Sequence, residues 1–295
     1  MIDPRLLRTF LAVCLEGSIS GAARRLNISQ PSVSVAIAQL ERSLKTRLFA
    51  RGRQGIRLTA AGEALKRRAE MMEVLLADAE RAVALAEAGI RGPLRIGGTP
   101  GALVSLVPAA IARMEGADHM ALTVIERADA QLTDLLRRGE IEVAVVTTGI
   151  ETPPDDIDER SIARDPFSLI VGRAHDELGP SVSLAEVASL GWVLPQAAGA
   201  FHRQIEALFL AAETAVPADV IRCDSLLTSK AIVQRGRRVT VLPRGVVEPE
   251  LQTGLLRAIP LDGVPITRSI GVRTLRGRHL SALGQDFFAA ITAVL

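Results

Sequence analysis

The 295 residues predict an α+β multidomain chain: a small helical head, one long helix and a larger α/β body. Three observations predict it. Apolar residues recur at helical period through about the first 58 residues, an unbroken heptad runs from Leu65 to Ile90, and strand-like and helix-like runs alternate from Leu94 onward. A hydrophobic fraction of 48% and a charged fraction of 23% suit globular domains with cores of their own.

In the head, residues 1–58, Leu6, Leu7, Phe10, Leu11 and Cys14 form the stripe of a first helix that Gly17 stops. Ser18 or Ser20 caps a second helix carrying Ala22, Ala23 and Leu26. The turn Asn27-Ile28-Ser29 opens a third, with Pro31 in its first turn and Val33, Ile37, Leu40 and Leu44 facing inward. Helix, tight turn, helix is the helix-turn-helix pattern. Residues 47–58 follow as a basic, glycine-containing hairpin, a wing.

Residues 59–91 read as a linker helix. Leu65, Ala69, Met72, Leu76, Ala79, Val83, Ala86 and Ile90 are spaced alternately four and three apart, the seam of a helix that pairs with a second chain. Packing on its own domain is the alternative. Gly92-Pro93 ends the element. In the body, residues 92–295, strands are expected at 94–98, 121–126, 143–147, 167–171, 220–223, 239–242 and 269–273. Helices are expected at 102–114, 130–138, 201–212, 226–235 and 280–295, giving mostly parallel sheets and enough βα units for two lobes around a cleft.

Charge is uneven. Residues 1–60 hold ten Lys and Arg against three acids, although the whole chain carries only +2. A basic head on a mildly acidic body suits a polyanion partner for the head, or else a solvated basic surface. Cys14 and Cys223 make no disulfide framework or metal-ligand spacing and read as reduced, apolar fillers. His119, His175 and His279 are scattered and read as surface residues, so no metal is expected. Neither a signal peptide nor a run of about 20 apolar residues is present, so a cytoplasmic chain without a membrane partner is expected. The G-x-x-x-x-G-K-[ST], G-x-S-x-G, H-E-x-x-H and S-x-x-K motifs are missing, and no catalytic residue or cofactor is expected. One loop stands out: Gly97-Gly98-Thr99-Pro100-Gly101, between a strand end and a helix start. Free amides and the Thr99 hydroxyl there can hold a carboxylate. An ordinary capped helix is the alternative.

The ordered series Phe10-Leu11-Ala12-Val13, Gly17-Ser18-Ile19-Ser20, Ala22-Ala23, Leu26-Asn27-Ile28-Ser29-Gln30-Pro31-Ser32-Val33-Ser34, Leu40-Glu41, Leu48-Phe49 and Leu58-Thr59…Gly62 resembles the LysR-type transcriptional regulators. In the body, Gly92-Pro93-Leu94-Arg95-Ile96-Gly97, residues 139–145 and Val239-Thr240-Val241-Leu242-Pro243 fall where that family has corresponding segments. The resemblance implies a winged helix-turn-helix, a linker helix and a two-lobed α/β effector domain similar to periplasmic binding proteins, with crossovers near residues 162 and 267. It implies double-stranded DNA as partner, a homodimer through the linker helix, a homotetramer beyond that, and RNA polymerase as a further candidate partner.

Gln30, Ser32 and Ser34 open the helix expected in the major groove, with Ser20 and Pro31 beside them. There Gln can pair with adenine and Ser with a base edge or phosphate. Arg51, Arg53 and Arg57 on the wing suit phosphate or the minor groove. Val35 stands where many members have Arg and offers no donor, though it can touch a thymine methyl. Gly21 stands where larger polar residues are common, losing about 0.8–1 kcal/mol of helix propensity relative to Ala. For the effector, the resemblance implies a cleft lined by Gly98, Thr99, Pro100 and Gly101, by Thr147 and Thr148, and by the loop ending in Phe201 and His202. Phe201 would stack on a ring and His202 donate to an acid. The expected function is sequence-specific DNA binding modulated by a small organic effector, an aromatic or carboxylic acid, between the lobes. An enzyme and a ligand-free architectural DNA-binding protein are the competing readings.

Overall fold

The computed structural model describes residues 2–52, 55–114, 119–196, 199–263 and 267–294. It comprises two compact units, one made of Met1–Gly89 with Arg137–Glu140 and the other of Ile90–Leu136 and Ile141–Leu295.

The first unit contains α1 (Pro4–Glu16), α2 (Ile19–Leu26), α3 (Gln30–Leu44), the hairpin β1 (Phe49–Gly52) and β2 (Gly55–Leu58), and α4 (Ala60–Glu87). Each helix begins at a side-chain cap: Asp3, Ser18, Ser29 and Thr59 accept from the amides of Arg5, Gly21, Ser32 and Gly62. Gly17, at φ 63°, ends α1 in the left-handed conformation. Phe10, Val33 and Leu40 are fully buried where the three helices meet, and Phe10 packs on Phe49 with ring centroids 5.2 Å apart. Position 21 has no room for a larger residue. A Cβ there would sit 2.7 Å from that of Glu16, so close packing of α2 on α1 outweighs the propensity lost.

Side chains also fasten the hairpin. Glu41 Oε1 accepts from the Leu48 amide at 2.8 Å and the Phe49 amide at 3.3 Å. Thr59 Oγ1 donates to the Arg47 carbonyl at 2.7 Å while it caps α4. Gly62 completes the joint, because a Cβ would fall 2.2 Å from the Leu48 carbonyl oxygen.

The seam of α4 divides. Leu65, Ala69 and Met72 pack into the core of their own unit, whereas Leu76 and Val83 are exposed, Val83 by 62%, as is Leu75 beside them. Ile90 is not part of the helix. Gly89 takes φ 69° and breaks it, and Gly92-Pro93 lie inside the next strand instead of at the helix end.

The second unit runs β3 (Arg91–Gly98), α5 (Pro100–Met114), β4 (Met120–Glu126), α6 (Asp129–Arg138), β5 (Val143–Thr148), β6 (Ile157–Val171), α7 (Leu184–Val187), β7 (Trp192–Leu194), α8 (Ala200–Ala211), β8 (Val220–Arg222), α9 (Leu226–Arg235), β9 (Thr240–Pro243), α10 (Glu248–Gln252), β10 (Arg257–Pro260), β11 (Thr267–Leu275) and α11 (Ala282–Thr292). A first lobe has strand order β4-β3-β5-β11-β6. In the second lobe the end of β6 lies between β9 and β10, and β7 with β8 extends from β9 through the Trp192–Val239 bridge.

The sheets are mixed, not mostly parallel. Among the described residues, β3 with β4, β3 with β5, and β7 with β8 are parallel, whereas every ladder of β6 and β11 is antiparallel. The cause is β6, whose first ten residues carry Asp158, Glu159, Arg160, Arg164 and Asp165, so charge hides the alternation of a strand. Leu94, Ile96, Val143, Val145 and Phe287 fill one core of the first lobe, and Trp192, Phe209, Leu169 and Val171 one core of the second. The buried Trp192 Nε1 donates to the Val187 carbonyl at 3.1 Å. No helix among the described residues is long and apolar enough to cross a membrane.

Gly62→Ala should force the Leu48 carbonyl aside and destabilise the first unit by about 1–3 kcal/mol, the usual range for overpacking. Chemical denaturation followed by circular dichroism, beside the wild type, measures it; an unchanged midpoint would refute the tight joint.

Candidate functional site

The outer face of α3 is built by subtraction. Val33, Ile37 and Leu40 turn into the core, which leaves Gln30, Pro31, Ser32, Ser34 and Val35 exposed, with Gln39 and Arg42 continuing at helical spacing. Gln39 and Arg42 were not singled out from sequence, although their positions four after Val35 and Ala38 carry the signal. Ser29 is spent on capping, and its hydroxyl lies 2.8 Å from that of Ser32. Ser20 is half-buried within α2. On the hairpin, Arg57 is exposed in β2 and pairs in register with Ala50; Arg51 belongs to β1, and Arg53 lies outside the described residues. Arg24 and Arg25 are exposed at the end of α2.

In the second unit a cavity of about 440 Å³ lies between the lobes. Thr99, Pro100, Gly101, Thr147, Phe201 and His202 line it, but Gly98 and Thr148 do not. Gly98 is buried in β3, and the space of its missing Cβ is taken by the Leu103 side chain. Thr148 follows Thr147 along β5, and successive side chains point to opposite faces. Its hydroxyl is 2.7 Å from that of Ser161, away from the cavity.

The first lobe brings an open helix end. In α5 the first intrahelical bond is Leu103 N to Thr99 O at 2.9 Å, so the Gly101 and Ala102 amides have no partner within the helix. At the start of α8, Gly199 O accepts from Arg203 N at 3.0 Å in the same way. The second lobe supplies an apolar wall of Val193, Leu194, Phe201, Leu242 and Val246. The Phe201 ring also stacks on Phe167, 6.3 Å between centroids, and His202 Nε2 is 3.2 Å from Glu206 Oε1, one turn on.

Sequence reasoning missed Arg268, which is 3% exposed and lines the cavity. Its Nη2 donates to Asp165 Oδ2 at 2.9 Å and to Ser105 Oγ at 3.2 Å. Burial pushes this guanidinium below its ordinary value, and Asp165 opposes the shift. The signal was present: Arg268, Ile270 and Val272 alternate on the buried face of β11, so a cation stands where the pattern asks for an apolar side chain. Asp129 also lines the cavity, held from behind by Arg273 at 2.9 Å.

One further expectation needs correcting. His175 is buried, not on the surface, and its Nε2 lies 2.8 Å from the Arg237 carbonyl. Cys223 is half-buried, packing against a core of the second lobe as expected of an apolar filler while also lining the cavity. Cys14 packs against the first unit's core, and burial pushes its thiol up to about 12. Among the described residues no cluster of three His, Cys, Asp or Glu fits a metal ion.

Residues 4–63 match the bacterial regulatory helix-turn-helix proteins of the lysR family, and residues 87–295 match the LysR substrate binding domain. The chain belongs to the LysR family of transcriptional regulators. The HTH-type transcriptional regulator YdcI of Escherichia coli K12 is 27% identical over 271 residues, 92% of this chain and 88% of its own. Two solved structures share the fold. A full-length OxyR variant from Pseudomonas aeruginosa has a TM-score of 0.68 at 22% identity, covering 99% of this chain and 95% of its own. Full-length CbnR complexed with its target DNA has a TM-score of 0.66 at 21% identity, with all of both chains covered. This LysR-family chain is a DNA-binding transcriptional regulator whose second unit is the family's substrate-binding, or effector-binding, domain.

Within that domain the two threonines of β5 should separate by experiment. Thr148→Val removes a buried hydrogen bond and should cost about 0.5–1.5 kcal/mol, whereas Thr147→Val, facing the cavity, should cost less than about 0.5 kcal/mol. Equal losses in urea denaturation would contradict the alternation.

Proposed function

We propose that this regulator binds a two-fold-related operator and that a small organic acid between the lobes of its effector domain sets its activity. The single observation behind the acid is the cavity's polarity: the open α5 terminus with the Thr99 hydroxyl on one side, apolar side chains of the second lobe on the other. Amides at a helix N-terminus favour negative charge. An apolar wall favours the hydrocarbon part of an aromatic or short-chain acid. Binding that favours one arrangement of the lobes shifts the population towards it, provided the acid has different affinities for the two states.

For DNA, the exposed α3 face reads base edges, chiefly through Gln30 and Ser34, with Pro31 and Ser32 at its opening and Ser20 behind them. Arg51, Arg53 and Arg57 contact phosphate or the minor groove. Val35 leaves a thymine methyl as the only direct base contact at its position. The exposed half of α4, with Leu75, Leu76 and Val83, is the homodimer seam. A homotetramer, contact with RNA polymerase and a cytoplasmic location complete the proposal.

Selection of genomic fragments by the purified chain at low and physiological salt tests the DNA half. Sites with two-fold-related halves that survive physiological salt are expected; uniform binding that vanishes with salt would favour the architectural alternative. On the selected site, Gln30→Ala should relax discrimination at one base pair by about 1–3 kcal/mol. Arg57→Ala should weaken all sequences alike and flatten the log K against log salt slope by about 0.9. Val83→Asp puts a charge into the seam and should convert dimer to monomer in sedimentation velocity. An unchanged dimer would place the interface elsewhere.

A further inference from the structure

We propose that Arg268 is the residue by which the effector domain selects an acidic effector over a neutral one, and that Asp165 is the built-in counter-charge it shares with that effector. The inference rests on the proposed effector cavity and adds to it the group that reads charge.

Arg268 is half-used. A guanidinium carries five donors in a planar fork. Among the described residues, every bond this one makes leaves from Nη2: to Asp165 Oδ2, to Ser105 Oγ and, at 3.5 Å, towards the Gly101 carbonyl. Nε is buried without a partner. A buried donor left unmade is costly, and native interiors rarely tolerate one. Here it belongs to a side chain in the wall of a cavity large enough for a small acid.

The neighbours strengthen the case. A side chain at Gly101 would begin 2.7 Å from Arg268 Nη1, so glycine there lets the guanidinium lie against the first turn of α5. The Gly101 amide, unpartnered within its helix, and the Nη1 end of a buried cation therefore adjoin one another. Each alone favours an anion, and together they form a site with both charge and directed donors.

Asp165 explains how the cation is tolerated without an effector. It is 7% exposed, faces Arg268 in the β6–β11 register, and its Oδ1 accepts from the Gly245 amide of the second lobe at 2.9 Å. One carboxylate, bonded at Nη2, neutralises the guanidinium without using all its donors. An acid entering the cavity brings a second carboxylate to the Nη1 donors, which carry no bond among the described residues, and does so at a residue whose counter-ion is bonded to the other lobe.

The test uses benzoate and benzamide, one charged and one neutral at nearly the same shape, titrated calorimetrically into the full-length chain. Wild type should prefer benzoate by about tenfold or more, in keeping with a charge-assisted contact. Arg268→Gln should bind both probes at the benzamide level, and Arg268→Lys should keep part of the preference. Asp165→Asn, which removes the counter-charge, should widen the preference about a further tenfold and lower the unliganded melting temperature, which benzoate restores. It still reports if Arg268→Gln fails to fold. An unchanged preference in Arg268→Gln, or a preference in Asp165→Asn equal to wild type, would make the pair purely structural and overturn the proposal. Failure of both probes to bind wild type would overturn the effector-cavity reading, and the proposal with it.

Discussion

The second unit depends on one strand serving two sheets. From Ile157 to Pro166, β6 pairs with β11; from Phe167 to Val171 it lies between β9 and β10. The exchange of partners falls at Pro166, which has no amide to donate and so suits a position where one ladder stops and another starts. Ligands of open α/β sheets collect where the strand connections change direction. The cavity lies beside this changeover, lined by Thr99 and Thr147 from the ends of β3 and β5 and by Thr240 and Leu242 of β9. Close pairing of β6 with β11 also requires Gly271, since a Cβ there would sit 2.0 Å from the Arg160 carbonyl oxygen at a bulge in the register.

Two arginines five residues apart on β11 show how the unit handles buried charge. Burial drives Arg273 down, but its bonds to Glu159 at 2.7 Å and Asp129 at 2.9 Å outweigh that, and its value is raised overall. Arg268 has one carboxylate and is lowered overall. Breaking a saturated buried pair leaves an uncompensated charge, so Arg273 reads as a fixed strut between β11, β6 and α6. The same physics leaves Arg268 short of partners, in a side chain that lines the cavity.

How far the sequence could be read differs between the two units for a physical reason. In the first, caps and apolar period are local signals: Gly17, Ser18, Ser29 and the inward Val33, Ile37 and Leu40 each stand where they were expected. The heptad showed a helix but not where its partner changes, because Ala69 and Val83 occupy equivalent seam positions while one is buried and the other exposed. Nor did it show the end at Glu87, which Gly89 sets by its backbone conformation. In the second unit, β5 and β9 were legible as apolar runs, whereas the charged half of β6 and the short β7 and β10 owe their form to distant partners. The cavity followed the same rule. Thr99 and Gly101 could be placed because a strand end meets a helix start; the alternation of Arg268 with Ile270 and Val272 marks a buried cation but not its counter-charge, Asp165, 103 residues away.

The family was nevertheless legible from the head, and the structure explains why. Most of the motif residues are not on the outward face of α3. Glu41 holds the Leu48 and Phe49 amides, Thr59 joins the Arg47 carbonyl to the start of α4, Gly62 fits beneath Leu48, and Ser18 caps α2. Each answers a packing or hydrogen-bonding demand that few other residues meet, so the joint constrains the sequence wherever it is used. Gln30, Ser34 and Val35 answer no such demand, being exposed on a helix whose inner face already fixes it. Nothing internal restricts them, and under the proposed function it is the operator that does. The same division holds in the cavity, where Gly98 serves packing while Thr99, Phe201 and Arg268 face an open volume. A motif built on internal demands therefore identifies a scaffold, and under the proposed function the choice of operator and of effector resides in the side chains that the scaffold leaves unused.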